Sequence, residues 1–492
     1  MINPYNNKNW CHHLNSLRWV KDLEDLELQK KILTSFYSFH CKRKIQNPYY
    51  FSIRGDHTAA IRMNVLIDIK KKFQKNGIIG GVGICKRLIN EELCNLLRKD
   101  MYRAGHNHGL MVDLSILNLI VQDREFEKKI DIDFLLNRSA NTLNNMWHIS
   151  GFTKEHSISY QEFNLSLVIS YYEKLKSLRL VSRSKIDQEL IKDESKKILG
   201  FALRKSGGYF PIGDSFRKPN TKILGEIYGE GSLPPENTFY PYSCQEGEVV
   251  KEGLFIKKWR DRNNNEFHII ATCGWNSFNH KQNDEFSFCL DINGCAFFDD
   301  PGYSTACNQT IAQFLKSEKS HSNFSLEKCA WSDKRFSDGN SNIFHVSNLF
   351  ENFSDTGLVM THGRIEGFFA KRILQIKDGI INIIDMLNIN KKNIYTIQTL
   401  GDVVKITHRF VLAPEVSVNI ECGCIQLSVG VERCFLYYDS GDVSFKRIPY
   451  IGYDKTVVVS TIVLIIDSKI NLNEYNGFNV VNKFKILMCD SF

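Results

Sequence analysis

The chain has 492 residues, 43% of them apolar and 24% charged, with a formal net charge of +8. That length exceeds one ordinary core, so two or three domains are expected, and the composition excludes disorder over most of the chain. The positive excess is mild and forms no block beyond short runs such as Lys70-Lys71-Lys72, which argues against a nucleic-acid partner and leaves an acidic polysaccharide as a fitting one.

The opening "MINPYNNKNWCHHLNSL" has neither a basic nor an apolar leader region, so the expectation is a cytoplasmic protein without a signal peptide. From there to about residue 205 apolar residues recur at helical spacing. The spacing predicts helices over 56–73, 83–102, 110–122, 159–178 and 184–204, with no strand of comparable strength between them. A run of this kind is an all-α domain, and inward apolar faces on many successive helices suit a bundle or an α/α toroid.

"SGGYFPIGDS" (206–215) is a Gly/Pro break, and its Asp214 reads as part of a simple inter-domain loop. Beyond about 250 the period falls to two and β-branched and aromatic residues dominate, as in "EFHIIATCGW", "EFSFCLDINGCAFFDD", "ILQIKDGIINIIDMLNI" and "CIQLSVGVERCFLYYDS". Asn293-Gly294 and Asp378-Gly379 fall between paired runs as hairpin turns do. The fold class expected is therefore α+β multidomain, all-α first and an antiparallel β-sandwich after it. The most apolar run, "TVVVSTIVLIID", is too short and too β-branched to span a membrane, so no membrane insertion is expected. Fourteen cysteines at irregular spacing, without a C-x-x-C pair, read as reduced thiols.

Four stretches hold residues suited to chemistry. "AGHNHG" carries His106, Asn107 and His108 at a helix entry, where helix capping by Asn107 is the plain alternative. "EHSISYQEF" carries Glu155, His156 and Tyr160. "NHKQNDEF", with "DDPG" and "SEKSHSNF" after it, carries His280, Gln282, Asp300 and His321; these suit a metal or, for Asp300-Pro301-Gly302, a turn. "RGDHTAAIR" carries His57 and Arg62, for which tying helices together is the plainer role.

The order of these pieces along the chain resembles the heparinase II/III-like family of polysaccharide lyases. It runs "DHTAAIR", "NHG", "EHSISYQEF", "HKQNDEFSFCLDINGCAFFDDPG" and "SHS", then "MTHGRI", "DGIINIIDML" and "THRFVLAP". The resemblance implies an incomplete α/α toroid over 1–225 and an antiparallel β-sandwich over 226–492. It also implies a carbon–oxygen lyase that cleaves a uronate-containing polysaccharide or oligosaccharide by β-elimination, with a link to bacterial surface-polysaccharide synthesis or turnover. Under it Asn107 neutralises the uronate carboxylate, His108 is a base or second neutraliser, Tyr160 is the acid/base tyrosine and His280 is the β domain's contribution. His57, Arg62, His106 and His156 fall to substrate binding. Zinc-holding relatives place histidine, aspartate and histidine where this chain has Gln282, Asp300 and His321. An amide oxygen is a poor zinc ligand, so no cofactor is expected to be required and a structural zinc would rest on Asp300 and His321. A non-catalytic glycan-binding or assembly factor is the alternative from another class. A glycoside hydrolase is a further one, although it would need paired carboxylates.

Overall fold

The computed structural model describes residues 8–41, 55–148, 150–185, 187–228, 246–274, 280–304, 307–327, 329, 331, 351–353, 357–365, 368–389, 403–421, 423–454, 458–471 and 479–488. The chain forms two compact units. One comprises Met1–His148 with Asn164–Leu190, the other Ile149–Phe163 with Ile191–Phe492.

The first unit is helical. Its described elements include α1 (Lys8–Asn15), α2 (Arg18–Lys21), α3 (Leu26–Phe36), α4 (Asp56–Lys75), α5 (Ile79–Leu96), α6 (Asn107–Gln122), α7 (Ile132–Met146) and the greater part of α8 (Ile158–Leu178). α4 shows why these segments are helices. Asp56 opens it and Lys72 and Lys75 close it, matching the helix dipole. Gly77 then takes φ 69°, and Ile78 N–H reaches back to Phe73 O at 2.9 Å, a Schellman stop. Its inward face buries Ala59, Met63, Leu66, Ile69 and Phe73.

Two features differ from the sequence expectation. The helix predicted over 83–102 ends at Leu96, because Arg98 is extended and pairs with Asp100 before a short 3₁₀ turn at Lys99–Met101. α7 is an added helix. Asp131 caps it by accepting from Phe134 N–H at 3.0 Å, and Leu135, Leu136, Ala140 and Leu143 are buried along it.

The second unit carries α9 (Gln188–Ala202) from residue 191 onward, α10 (Thr221–Tyr228) and, among the described residues, three antiparallel sheets. The first sheet is β1 (Gly247–Lys251), β2 (Leu254–Arg260), β3 (Glu266–Thr272), β4 (Phe288–Ile292) and β5 (Cys295–Phe298), in chain order. The end of α9 is fastened to it: Lys258 Nζ donates to the Gly200 and Leu203 carbonyls, and His268 Nε2 meets Phe201 O at 2.8 Å.

The remaining strands are β6 (Phe324–Leu326), β7 (Glu351–Phe353), β8 (Gly357–His362), β9 (Phe368–Lys377), β10 (Ile380–Ile389), β11 (Val403–Val411), β12 (Ser417–Glu421), β13 (Cys424–Val429), β14 (Glu432–Tyr438), β15 (Asp442–Ile451), β16 (Val458–Asn471) and β17 (Asn479–Met488). They form an eight-stranded sheet, β12-β13-β14-β17-β10-β9-β8-β7, and a four-stranded sheet, β15-β16-β11-β6. The hairpins expected at Asn293-Gly294 and Asp378-Gly379 are present, with Asn293 at φ 53° and Asp378 at φ 55°. All three sheets contribute to one apolar core, with Ile269, Phe288, Phe298, Phe410, Ile383, Leu427, Leu464 and Ile486 among its members. No helix of the described residues is long and apolar enough to cross a membrane.

The β-half motifs turn out to be buried ion pairs and charge-assisted hydrogen bonds. Arg364 of "MTHGRI" bonds Glu285 Oε2 at 2.8 Å, and His362 is fully buried beside it. Asp385 of "DGIINIIDML" holds Arg372 at 2.7 Å and His408 of "THRFVLAP" at 2.8 Å. Asp299 of "DDPG" is shared by Arg204 and Arg217, whose charges outweigh the opposing effect of burial and hold its carboxyl at about 2.

Candidate active site

In the second unit Tyr160, His280 and Asp214 come together. Tyr160 lies in the first turn of α8. Ser159 Oγ accepts the Phe216 N–H at 2.7 Å, and Ser157 Oγ lies 2.9 Å from Ser215 Oγ, so this turn is tied to the 213–216 loop. Gly213 makes the approach possible. At φ 64°, a Cβ there would fall 2.3 Å from His156 O and 3.1 Å from His280 O. His156 (φ 53°) and His280 (φ 60°) are themselves in the left-handed region, a strained conformation for a side chain-bearing residue that is concentrated at functional sites.

The Tyr160 and His280 rings stack with centroids 3.4 Å apart and planes 15° from parallel. Asp214, 4% exposed, takes three side-chain donors. Gln282 Nε2 reaches Oδ1 at 3.0 Å, while His280 Nδ1 at 3.2 Å and Lys316 Nζ at 2.7 Å reach Oδ2. Burial would raise the Asp214 carboxyl, but the His280 bond and the Lys316 charge outweigh it and hold it below its ordinary value. Paired with a carboxylate through Nδ1, a neutral His280 keeps Nε2 as its proton acceptor. Burial first, then the Glu155 and Asp214 charges, push the Tyr160 hydroxyl well above its ordinary value. Tyr160 therefore stands as a protonated phenol, an acid, at neutral pH. Lys316 Nζ also sits 4.4 Å from the Tyr303 ring centroid. His156 is 2% exposed, behind Gly213.

The first unit has its own constellation. His106, not Asn107, caps α6: its Nδ1 accepts the His108 N–H at 3.1 Å. Asn107 is the first residue of the helix and is 3% exposed. Four imidazoles form a column. His12 and His57 stack at 4.6 Å, His57 and His108 at 4.6 Å, and His106 meets His108 edge-on at 4.4 Å. Burial, with His108 and His12 adding to it, lowers His57 to about 3, so it is neutral at physiological pH. His108 Nδ1 lies 3.3 Å from Asp56 Oδ1, and Arg103 Nε lies 2.9 Å from Asp56 Oδ2. Arg62 takes the helix-tying role: fully buried, it joins α4 to Glu92 of α5 at 2.8 Å and donates to Asn15 O at 2.7 Å.

Asp300 and His321 are bonded to each other, Oδ2 to Nδ1 at 2.7 Å, and Asp300 Oδ1 accepts the Gly302 N–H at 3.0 Å in the expected turn. Burial would lower His321, but the Asp300 carboxylate outweighs it and raises the imidazole. Gln282 spends its amide nitrogen on Gly213 O and Asp214. Among the described residues His321 Nε2 and Gln282 Oε1 have no hydrogen-bond partner. Two neutral donors fall short of the three or four ligands that zinc gathers, since both Asp300 oxygens are already engaged. Among the described residues no three His, Cys, Asp or Glu side chains are arranged to hold a metal. This residue set does not fit zinc.

Sequence reasoning missed Lys316, His12 and the role of Asp214. Lys316 and His12 carry no local pattern, and Asp214 carries only the loop signature "IGDS".

No family model matches the chain, and no curated protein matches it in sequence. Solved structures do. It is similar to heparinase III (TM-score 0.73, 13% identity, 99% of this chain and 77% of that one). It is also similar to heparan sulfate lyase HepC from Pedobacter heparinus (TM-score 0.65, 12% identity, 100% and 78%). A further heparinase III gene product aligns at TM-score 0.68, with 12% identity over 99% and 80%. At such identities the likeness is one of fold: this chain has a heparinase-like polysaccharide lyase fold.

Proposed function

We propose that this protein is a polysaccharide lyase that cleaves a uronate-containing polysaccharide or oligosaccharide by β-elimination, and that its helical part is an incomplete α/α toroid and its β part a sandwich. The observation that carries the reading is the stacking of a protonated, half-buried Tyr160 on a His280 held by a carboxylate. Elimination needs one acid and one base: the Tyr160 hydroxyl is held protonated, and His280, tied to Asp214 through Nδ1, has Nε2 left to offer to a proton.

In the proposed reaction His280 Nε2 takes the C5 proton. The C5–H electron pair becomes the C4–C5 double bond as the C4–oxygen bond breaks, and the Tyr160 hydroxyl protonates the departing oxygen. The intermediate charge gathers on the uronate carboxylate, which calls for hydrogen-bond donors placed where that charge develops. Asp214 orients His280, and Lys316 neutralises Asp214. No metal or other cofactor is assigned a step.

The test is ultraviolet detection of the unsaturated product from a panel of uronate polymers. Tyr160→Phe should lower kcat by about 10²–10⁴, the usual contribution of a general acid. Full activity in that variant, or reducing ends released without the absorbance, would sink the proposal.

A further inference from the structure

The outer face of the eight-stranded sheet holds a cavity of about 660 Å³, lined from β9, β10, β14 and β17. Strand register assembles it. Tyr437 lies opposite Lys485, Lys485 opposite Asn382, and Asn382 opposite Gln375. A phenol, an ammonium and two carboxamides therefore stand in one row across four strands, which spans roughly 14 Å at three strand spacings. Lys483, two residues from Lys485 on β17, adds a second ammonium on the same face. Tyr437 is 39% exposed, and Gln375 and Lys483 are exposed as well. Among the described residues neither lysine is paired with a carboxylate, and Asp439 is the acid in the lining.

This row has the chemistry of an acidic sugar chain's complement. Carboxamides both donate to and accept from hydroxyls. Ammonium groups bind carboxylate or sulfate. A phenol offers an apolar face with a polar tip. The row holds none of the acid/base pairing that elimination requires.

We propose that this face is a second, non-catalytic binding site for an acidic oligosaccharide segment, which keeps a polymer on the enzyme between cleavages. The proposal rests on the reading of the chain as acting on an acidic polysaccharide. Tethering raises the local concentration of cleavable linkages for a polymer and does nothing for a fragment too short to be held twice.

The test uses the full chain with Tyr160→Phe to prevent cleavage, electrophoresed through gels containing heparan sulfate, hyaluronan, alginate or neutral dextran. Tyr437→Ala and the double variant Lys483→Ser/Lys485→Ser are compared with that parent, after thermal melts establish that each is folded. The expected result is retardation by at least one anionic polymer, weakened about fivefold or more in both variants, with none by dextran. In the active background the same changes should slow polymer cleavage and leave tetrasaccharide cleavage unchanged. Equal retardation of parent and variants, retardation by dextran, or no retardation of the parent by any anionic polymer overturns the proposal. Retardation lost in the variants, without unsaturated product from the wild-type chain, would remove the lyase reading and leave this site standing.

Discussion

Asparagine at position 214 keeps the shape of the aspartate and removes its charge. Asp214 presents two acceptor oxygens to three side-chain donors: Gln282 at 3.0 Å, His280 at 3.2 Å and Lys316 at 2.7 Å. A carboxamide has one acceptor oxygen, so in Asp214→Asn at least one donor faces an NH₂ group. A buried donor left unmatched costs about 1–3 kcal/mol. The Lys316 charge also loses its counter-ion, and the His280 imidazole loses the carboxylate that sets its tautomer. If about 2–4 kcal/mol of this is felt in the transition state, kcat falls roughly 30- to 1000-fold. KM should move less, since Asp214 is assigned to orienting the base and not to holding the substrate. The assay is the initial rate of unsaturated product, with a thermal melt alongside to establish folding. A double-mutant cycle sharpens it: His280→Ala should cost much less in the Asp214→Asn background than in the parent. An Asp214→Asn enzyme with kcat near the parent value and an unchanged melt would refute the orienting role.

Arg62→Met removes a fully buried cation and strands Glu92, which should cost about 3–5 kcal/mol and lower the melting temperature of the first unit. An unchanged melt with a raised KM would return Arg62 to substrate binding. Stability should fall as pH drops below about 4.5. His57 and His362, both lowered to about 3 by burial, stay neutral when folded but gain protons when unfolded, so their contribution is lost between pH about 6.5 and 3. His12, His268 and His408 are lowered as well and act in the same direction, but above about 4.5 they are opposed by the raised imidazole of His321 and by carboxyls that burial raises, Glu162 to about 7 and Asp113 to about 6, which take up protons on folding. Below about 4.5 the depressed carboxyls of Glu285 and Asp299, both near 2, add a second loss as pH falls toward 2. Urea midpoints measured from pH 7 to pH 3 check this, and a midpoint that rises between pH 4.5 and 3 contradicts it. Elemental analysis of the purified protein should find no stoichiometric zinc, and a chelator should leave the melt unchanged; one tightly held zinc per chain, with a melt that drops on chelation, would reverse the reading of Gln282, Asp300 and His321.

How much of this was legible in the sequence differed by element. α4, α6 and α8 were readable because their apolar residues keep a helical period, and the hairpins were readable because Asn-Gly and Asp-Gly are turn chemistry in themselves. α7 carries the same signals, an aspartate cap at Asp131 and buried residues at helical spacing, Leu135, Leu136, Leu143 and Met146, and the sequence expectation passed over it. Within the candidate site, Tyr160 and His280 stood out through motif order, whereas the capping role considered for Asn107 belongs to His106.

By itself the sequence determined the change from helical to strand period, the turns, and a set of His, Asn and Tyr residues suited to proton transfer. These are properties of neighbouring residues, set by backbone geometry and side-chain type. Only the tertiary structure decided which of them work together. Asp214 and Lys316 are separated by 102 positions, and Arg62 and Glu92 by 30. Their charges matter because burial strips away water and makes each depend on the partner the fold supplies. The same burial placed the Arg364–Glu285 ion pair of "MTHGRI" and the His408–Asp385 hydrogen bond of "THRFVLAP" in the core, and left Tyr160 a protonated phenol stacked on His280.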